Sequence, residues 1–110
     1  FRAEFAEGVA GFMRRFDIEM LAVTQGAEGC TLHARGQTVT APGIRVQVQD
    51  TVGAGDAFTA SLILSCLRGA PLDETAFEAN LLGAYVAGRS GGTPPVDPAA
   101  LAALRRQAGR

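Results

Sequence analysis

A layered α/β fold with few strands is the class that this 110-residue sequence predicts. Two observations lead to it. Apolar residues recur at helical intervals in four segments, and short β-type runs with a glycine turn lie between the first two of these segments. The resulting order is helix, strand, hairpin, strand and three helices, which fits helices packed on a small sheet. With 47% hydrophobic and 19% charged residues, the composition is that of a globular domain, or of one part of a wider sheet.

The first half of the chain contains the predicted strands. A helix over residues 2–15 is followed by a short buried strand, Met20 to Thr24, which Gly26 stops. The segments CTLHA and QTVTA flank Arg35–Gly36, a pattern typical of a β-hairpin with a glycine turn. The alternation in IRVQVQD predicts a further half-buried strand from Ile44 to Val48. The apolar positions of the first helix are Phe1, Phe5, Val9, Phe12 and Phe16.

Three helices are predicted in the second half. The first runs from Ala54 to Leu67 and is stopped by Gly69 and Pro71. The second is capped by Asp73 and reaches about residue 87. After the loop GRSGGTPPVDP, the third has Asp97 as its cap and proline in its first turn. The inward positions of the first two are Phe58, Leu62, Ile63, Cys66, Leu67, Phe77, Leu81, Ala84 and Tyr85.

Charge and composition exclude several classes of partner. The formal net charge is −1, and all the basic residues are arginines that form no stripe, so we expect no nucleic-acid partner. No apolar run is long enough to span a bilayer, and no signal-peptide pattern is visible. Cys30 and Cys66 lack metal-type spacing, which favours a reduced, cytoplasmic protein.

The stretch QDTVGAGDAFTAS, residues 49–61, contains the candidate binding and catalytic residues. It joins a predicted strand to a helix at the carboxyl edge of the sheet, where ligands of open α/β sheets bind. Because Gly53 and Gly55 have no side chains, the first amides of the helix can approach an anion closely, helped by the positive helix terminus. Phosphate is the expected guest.

Asp56 lies at the same turn, where a carboxylate would repel phosphate. One explanation is that Asp56 accepts the proton of a hydroxyl that attacks phosphorus. The alternative is that Asp56 only favours the first turn of a helix and the glycines only make a tight bend. The sequence contains no lysine, which excludes a Walker A loop, and Phe58 replaces the third glycine of a dinucleotide-binding motif.

Three segments in order resemble a known family. DTVGAGDAF resembles the C-terminal signature D-T-x-G-A-G-D-x-F of the PfkB (ribokinase-like) carbohydrate kinases, and VTQGAEGC resembles the upstream T-x-G-x-x-G segment. FEANLLGAYVAGRSGGTP is similar to the following helix and loop, although the family more often has VTRxGA where this chain has AGRSGG. The resemblance implies the C-terminal, nucleotide-binding part of a three-layer α/β/α fold, residues 1–110, without the sugar-binding half and lid.

The resemblance also implies roles for single residues. Asp56 would be the catalytic base, and the amides of Gly53, Ala54 and Gly55 would form the anion hole. Asn80 would lie near the adenine, or alternatively would belong to a solvated polar face. The residues implied to line the phosphates and ribose of the nucleotide are Thr24, Gly26 and Gly29.

Metals are implied less directly. Magnesium would accompany ATP, but no magnesium ligand is assigned, since Glu4, Glu7 and Glu28 are expected to be solvated acids. Many family members bind a monovalent cation such as potassium beside the anion hole. Here its site would be Asp50, the carbonyl of Val52 and the loop from Arg89 to Thr93, unless Asp50 simply caps the turn.

The resulting expectation is ATP-dependent phosphorylation of a sugar or nucleoside hydroxyl. A second hypothesis is a truncated nucleotide-binding or assembly module without turnover on its own, in which exposed sheet edges favour a homo-oligomer. A third is an α/β domain that uses the glycine loop for structure only.

Overall fold

The computed structural model describes residues 2–34, 36–89 and 96–109. The element order agrees with the sequence prediction except for one strand. Within these ranges, no helix is both long and apolar enough to cross a membrane. The elements are α1 (Arg2–Arg15), β1 (Met20–Thr24), a 3₁₀ turn (Gly26–Glu28), β2 (Gly29–Ala34), β3 (Gln37–Pro42), α2 (Ala54–Leu67), α3 (Leu72–Ala87) and α4 (Pro98–Gln107).

The three strands form one antiparallel sheet in the order β1-β2-β3. The predicted hairpin is confirmed: Ala34 pairs with Gln37 across a two-residue turn, and Gly36 has a φ of 75°. Leu32 in the central strand pairs with Ala22 on one side and with Val39 on the other. Since side chains alternate along a strand, this row faces one side of the sheet.

Two apolar clusters form the core. The first lies between the sheet and helices α2 and α3, and the second joins α3 to α4. The buried members of the first are Cys30, Leu32, Ala34, Ala41, Phe58, Leu72, Ala76 and Ala79. The buried members of the second are Phe77, Leu81, Tyr85, Val86 and Leu104. Helix α3 contributes to both clusters, so it connects the sheet and α2 to α4.

The helix starts were predicted with mixed success. Asp97 caps α4 as expected, since its Oδ1 accepts a hydrogen bond from Ala99 N at 3.0 Å. Asp73 does not cap α3, which begins one residue earlier, after Pro71. The carbonyl of Pro71 accepts from Thr75 N at 2.9 Å, and Asp73 lies in the first turn, where its charge favours the positive helix end.

The predicted strand from Ile44 to Val48 is wrong. These residues form no ladder with any strand in the described ranges. Ile44 and Val46 are half-buried against the cluster between α3 and α4, while Arg45 and Gln47 are exposed. The alternation therefore reflects packing on helices, and alternation alone supplies no hydrogen-bonding partner.

The predicted inward face of α2 is wrong in part. Phe58 and Ser65 are buried and Leu62 is partly buried, as expected of that face. The predicted inward residues Ile63, Cys66 and Leu67 are exposed. The Cys66 thiol lies at the margin of the core, with Sγ 3.7 Å from Met20 Sδ. Val9 in α1 is buried as expected. Phe12 in α1 and Phe16, just after its end, are exposed and contact each other, with ring centroids 5.0 Å apart. Phe1 and the side chain of Phe5 lie outside what the structure describes.

Candidate functional site

The turn before α2 is held by the C-terminal end of α3. The backbone amides of Gln49 and Asp50 both donate to the carbonyl oxygen of Ala87, at 2.9 and 3.2 Å. This carbonyl belongs to the last turn of α3, where carbonyls have no partner within the helix. The two hydrogen bonds therefore satisfy a helix end and fix the start of the turn at the same time.

Asp50 stabilises the turn itself. Its Oδ1 accepts a hydrogen bond from Val52 N at 2.9 Å, the arrangement of an Asx turn. This is the capping role that the sequence left open for Asp50. The Val52 side chain is exposed, and of the implied cation loop only Arg89 lies within the described ranges, stacked over the Tyr85 ring at 4.9 Å.

Gly53 is the residue that lets the chain enter α2. It has a φ of 83°, in the left-handed region that side chains disfavour, and it precedes the first helical residue. Its carbonyl accepts from Ala57 N at 2.9 Å and so closes the first turn. The glycine is therefore required by the backbone conformation, whatever the turn binds.

The amides at this helix start are available to a ligand. Ala54 N donates to the Thr51 carbonyl at 3.2 Å. In the part of the chain that the structure describes, the amides of Gly53, Gly55 and Asp56 have no acceptor. Gly55 and Asp56 are exposed, and the helix is 14 residues long. The turn therefore presents unpaired donors beside a solvated carboxylate, at the positive end of a helix dipole.

The structure adds Gly83 to this site, a residue that sequence reasoning missed. A Cβ at Gly83 would stand 3.4 Å from Ala54 O and 3.6 Å from Phe58 Cβ. The small residue allows α3 to cross α2 closely, at the first residue of α2. A single glycine inside a helical pattern was the available signal, because such glycines often mark close packing.

The T-x-G-x-x-G segment forms the loop between β1 and β2. Thr24 and Gly26 are exposed, and Gly26 has a φ of 57° with open space around it. Gly29 is buried, has a φ of 112°, and a Cβ there would lie 2.0 Å from Ala41 O. Gly29 thus allows two backbone segments to touch, while Thr24 and Gly26 face solvent.

Asn80 lies on α3 and is half-buried. Its Nδ2 donates to the carbonyl of Pro42 at 2.6 Å, at the end of β3. The next amide, Gly43 N, donates to Glu28 O at 3.0 Å, so the end of β3 also holds the loop from β1 to β2. Asn80 is therefore a link between α3 and this loop rather than a purely solvated residue.

One face of α3 relates the two parts of the site. Asn80, Gly83 and Ala87 have the spacing of neighbours on a helix surface. Asn80 contacts the end of β3, Gly83 lies against the start of α2, and Ala87 accepts from the turn before it. From the rise per residue, Asn80 and Ala87 are about 10 Å apart along the axis. The glycine turn and the end of β3, which holds the β1–β2 loop, thus both contact one face of α3. Among the described residues, no hydrogen bond joins the turn directly to the loop.

Comparison with known proteins gives the family. The chain matches the pfkB family carbohydrate kinases over residues 6–99, and it belongs to this family. It is 38% identical over 76 residues to the ATP-dependent ribose-1-phosphate kinase of Halopiger xanaduensis, covering 69% of this chain and 26% of that one. It is 38% identical over 96 residues to the bifunctional protein HldE of Edwardsiella ictaluri, covering 86% of this chain and 20% of that protein.

Solved structures show the same fold. The Burkholderia thailandensis nucleoside kinase in complex with inosine superposes with a TM-score of 0.74 at 28% identity, over 84% of this chain and 32% of that chain. A ribokinase II of E. coli superposes with a TM-score of 0.81 at 20% identity, which shows the fold alone. The fold is therefore part of a ribokinase-like α/β domain. The chain spans between a fifth and a third of the length of these relatives.

Proposed function

We propose that this chain supplies the catalytic turn of an ATP-dependent kinase that phosphorylates a sugar or nucleoside hydroxyl. Family membership supports a phosphotransferase of this general kind. The observation that carries the detailed proposal is the set of unpaired amides of Gly53, Gly55 and Asp56, beside the exposed carboxylate of Asp56. Donors and a base at one turn are what transfer to a hydroxyl requires.

The reaction assigns a different task to each group. The acceptor hydroxyl gives its proton to the Asp56 carboxylate as its oxygen bonds to the γ-phosphorus of ATP. The bond from that phosphorus to the bridging oxygen breaks, and ADP leaves with the electron pair. The amides of Gly53, Ala54 and Gly55 stabilise the charge on the equatorial oxygens, with Ala54 turning its donor away from Thr51.

The nucleotide would lie along the face of α3 described above. Thr24 and Gly26 are exposed and would contact phosphates and ribose, and Gly29 shapes their loop. Asn80, which is linked to this loop through the end of β3, would lie on the adenine side. Magnesium would accompany the ATP phosphates, and a potassium ion would fit a site at Asp50 and the Val52 carbonyl. Carboxylate and carbonyl oxygens are suitable ligands for hard cations.

The acceptor is proposed only as a class. One similar protein is named a ribose-1-phosphate kinase, and another is a nucleoside kinase in complex with inosine. A small sugar or nucleoside therefore fits both. We place the reaction in the cytoplasm, where ATP is available and where Cys30 and Cys66 would stay as the free thiols seen here.

A second candidate is a nucleotide-binding or assembly module without turnover. The glycine turn lies on an open surface, and the chain spans 20–32% of three of the relatives above. Phosphoryl transfer depends on holding the acceptor in line with the phosphate, and an open surface cannot do so. The 110 residues by themselves are therefore expected to bind nucleotide with little or no transfer.

The test is a titration of the chain with magnesium ATP, followed by NMR at the amides of Gly53, Gly55 and Asp56. Saturable shifts at these amides are expected. Asp56→Asn should keep the shifts and, in any form of the protein that turns over, abolish sugar-dependent or nucleoside-dependent ADP formation. The matched control is Asp73→Asn, which changes an exposed aspartate in the first turn of α3 and should leave both readouts unchanged. A folded chain whose turn shows no shift would contradict the anion site.

A further inference from the structure

Thr59 lies one turn into α2, and its hydroxyl bonds back to the glycine turn. Its Oγ1 donates to the carbonyl oxygen of Gly55 at 3.0 Å, and the residue is exposed. In the regular helical pattern this carbonyl also accepts the backbone amide of residue 59, so the hydroxyl is a second donor to it. Threonine commonly makes this bond in helices, because one of its rotamers points Oγ1 at an earlier carbonyl. The bond alone therefore implies no function.

The Gly55 carbonyl belongs to the same peptide unit as the amide of Asp56. Because a peptide unit is planar, its C=O and N–H groups point in opposite directions and rotate together. The Asp56 amide has no acceptor in the described part of the chain, and Asp56 is exposed. A donor held on the Gly55 oxygen therefore fixes the direction of the Asp56 N–H bond. It also polarises that bond, since hydrogen bonds in a chain strengthen one another.

The peptide unit after Gly55 has few other restraints. Glycine lacks the Cβ that narrows the conformations of other residues, and a Cβ at Gly55 would meet nothing beyond its own helical turn within 4 Å. The preceding unit, in contrast, is bonded at both ends. Gly53 O accepts from Ala57 N at 2.9 Å, and Ala54 N donates to Thr51 O at 3.2 Å. The threonine hydroxyl thus restrains the unit whose amide stays open to a ligand.

The start of α3 contains the same bond without an open amide. Thr75 Oγ1 donates to Pro71 O at 3.0 Å, and Thr75 N donates to the same oxygen at 2.9 Å. Here the peptide unit leads to the amide of Leu72, which is a buried residue. Asp56 is exposed and carries a carboxylate beside its amide. One geometry therefore occurs at two helix starts, and only in α2 does it lie behind the amide of an exposed residue.

We propose that Thr59 is a positioning residue of the anion-binding turn, and that it orients and polarises the Asp56 amide through the Gly55–Asp56 peptide unit. This role rests on the proposed function, since it exists only if the turn binds phosphate. A phosphate bound at the turn would be repelled by the Asp56 carboxylate. A donor that is already aimed and polarised offsets part of this repulsion, because it need not reorganise when the anion arrives.

The experiment titrates the 110-residue chain with inorganic phosphate and with magnesium ATP, followed by NMR at the amides of Gly53 and Asp56. Thr59→Val removes the hydroxyl at nearly constant shape and should raise the Kd for phosphate about 2- to 5-fold. The shift of the Asp56 amide at saturation should fall, whereas that of Gly53, in another peptide unit, should stay. In the free chain the Asp56 amide proton should move upfield, because its bond is less polarised. Thr59→Ser keeps the hydroxyl and should restore most of the affinity and of the shift.

Thr75→Val is the matched control. It removes the equivalent bond from α3, and Pro71 O keeps the amide of residue 75 as a donor, so the phosphate Kd should not change. Equal weakening by Thr75→Val would attribute the effect to a general loss of helix stability and overturn the proposal. So would an unchanged Kd in Thr59→Val, or a Thr59→Ser variant as weak as Thr59→Val. A folded wild-type chain without shifts at the turn would contradict the anion site itself, and the role of Thr59 with it.

Discussion

Gly83 in α3 lies directly against Ala54, the first residue of α2, such that a Cβ on Gly83 would stand 3.4 Å from the Ala54 carbonyl oxygen. The proposed anion-binding turn is therefore held in place by the close crossing of α3 against the start of α2. Any side chain larger than a methyl group at residue 83 would push the start of α2 outward. The position of the turn thus depends on a residue that lies outside the turn, in α3.

The first prediction follows from this contact. Gly83→Ala should be neutral or stabilise the fold by up to about 1 kcal/mol, since a methyl at 3.4 Å is an ordinary contact and alanine favours helix. Gly83→Leu should destabilise by about 1–3 kcal/mol through overpacking. Urea unfolding of both variants measures the difference. Equal stability of the two would show that α2 and α3 do not meet closely at this position.

The loop from β1 to β2 gives a second prediction. Gly29→Ala should destabilise strongly, by about 3 kcal/mol or more, because a Cβ would lie 2.0 Å from Ala41 O and the φ of 112° is unfavourable to side chains. Gly26→Ala is the control, since its φ of 57° is strained but its surroundings are open, at a cost of about 1–2 kcal/mol. Both are measured by thermal or urea unfolding. A Gly29→Ala variant no weaker than Gly26→Ala would contradict the close approach of the two segments.

The two thiols give a third prediction, with a pH dependence. Cys30 is fully buried, and burial raises the pKa of its thiol, an effect that a backbone hydrogen bond at Ala41 partly offsets. Iodoacetamide at pH 8 should therefore modify exposed Cys66 at least 100-fold faster than Cys30, which should react only on unfolding. Mass spectrometry of the labelled peptides measures both rates.

The sign of the pH effect follows from the same shift. A pKa that is higher in the folded than in the unfolded chain means that the unfolded state loses its thiol proton first. The stability associated with neutral Cys30 is thus complete below the unfolded pKa and is lost as pH rises through the folded value. Cys30→Ser should flatten this alkaline loss, whereas Cys66→Ser should leave it. An unchanged alkaline profile in Cys30→Ser would exclude this thiol as its source.

Most of the correctly predicted elements depend on local sequence patterns. The helical spacing, the glycine at the hairpin turn and the cap at Asp97 act through nearby residues, so the sequence displays them directly. The strand prediction for residues 44–48 was wrong because a strand requires a hydrogen-bonding partner. Alternation of apolar and polar residues also arises where a segment packs on helices. The prediction that Cys66 is buried was wrong because α2 has apolar residues on several sides. The spacing of apolar residues then does not indicate which face of the helix is buried.

The sequence displays the residues of the glycine turn, but it does not display the contacts that hold the turn in place. The motif DTVGAGDAF predicts donors and a carboxylate at one helix start. In the described chain the amides of Gly53, Gly55 and Asp56 have no acceptor, and their role in binding an anion stays a prediction. The common face of α3 was not predictable, because it requires contacts between residues far apart in sequence. Asn80 to Pro42 is a separation of 38 residues.

The last prediction uses variants of Asn80 to distinguish a structural role of this residue from a role in binding nucleotide. Asn80→Ala removes the hydrogen bond to the Pro42 carbonyl and should lower the free energy of unfolding by about 1 kcal/mol. Asn80→Gln adds one methylene and should recover part of that stability if its amide reaches the same carbonyl. If Asn80 also acts on the nucleotide through the β1–β2 loop, Asn80→Ala should weaken ATP binding while leaving the amide shifts of phosphate alone at Gly53 and Gly55 intact. Loss of stability with unchanged ATP affinity would restrict Asn80 to holding α3 against the end of β3.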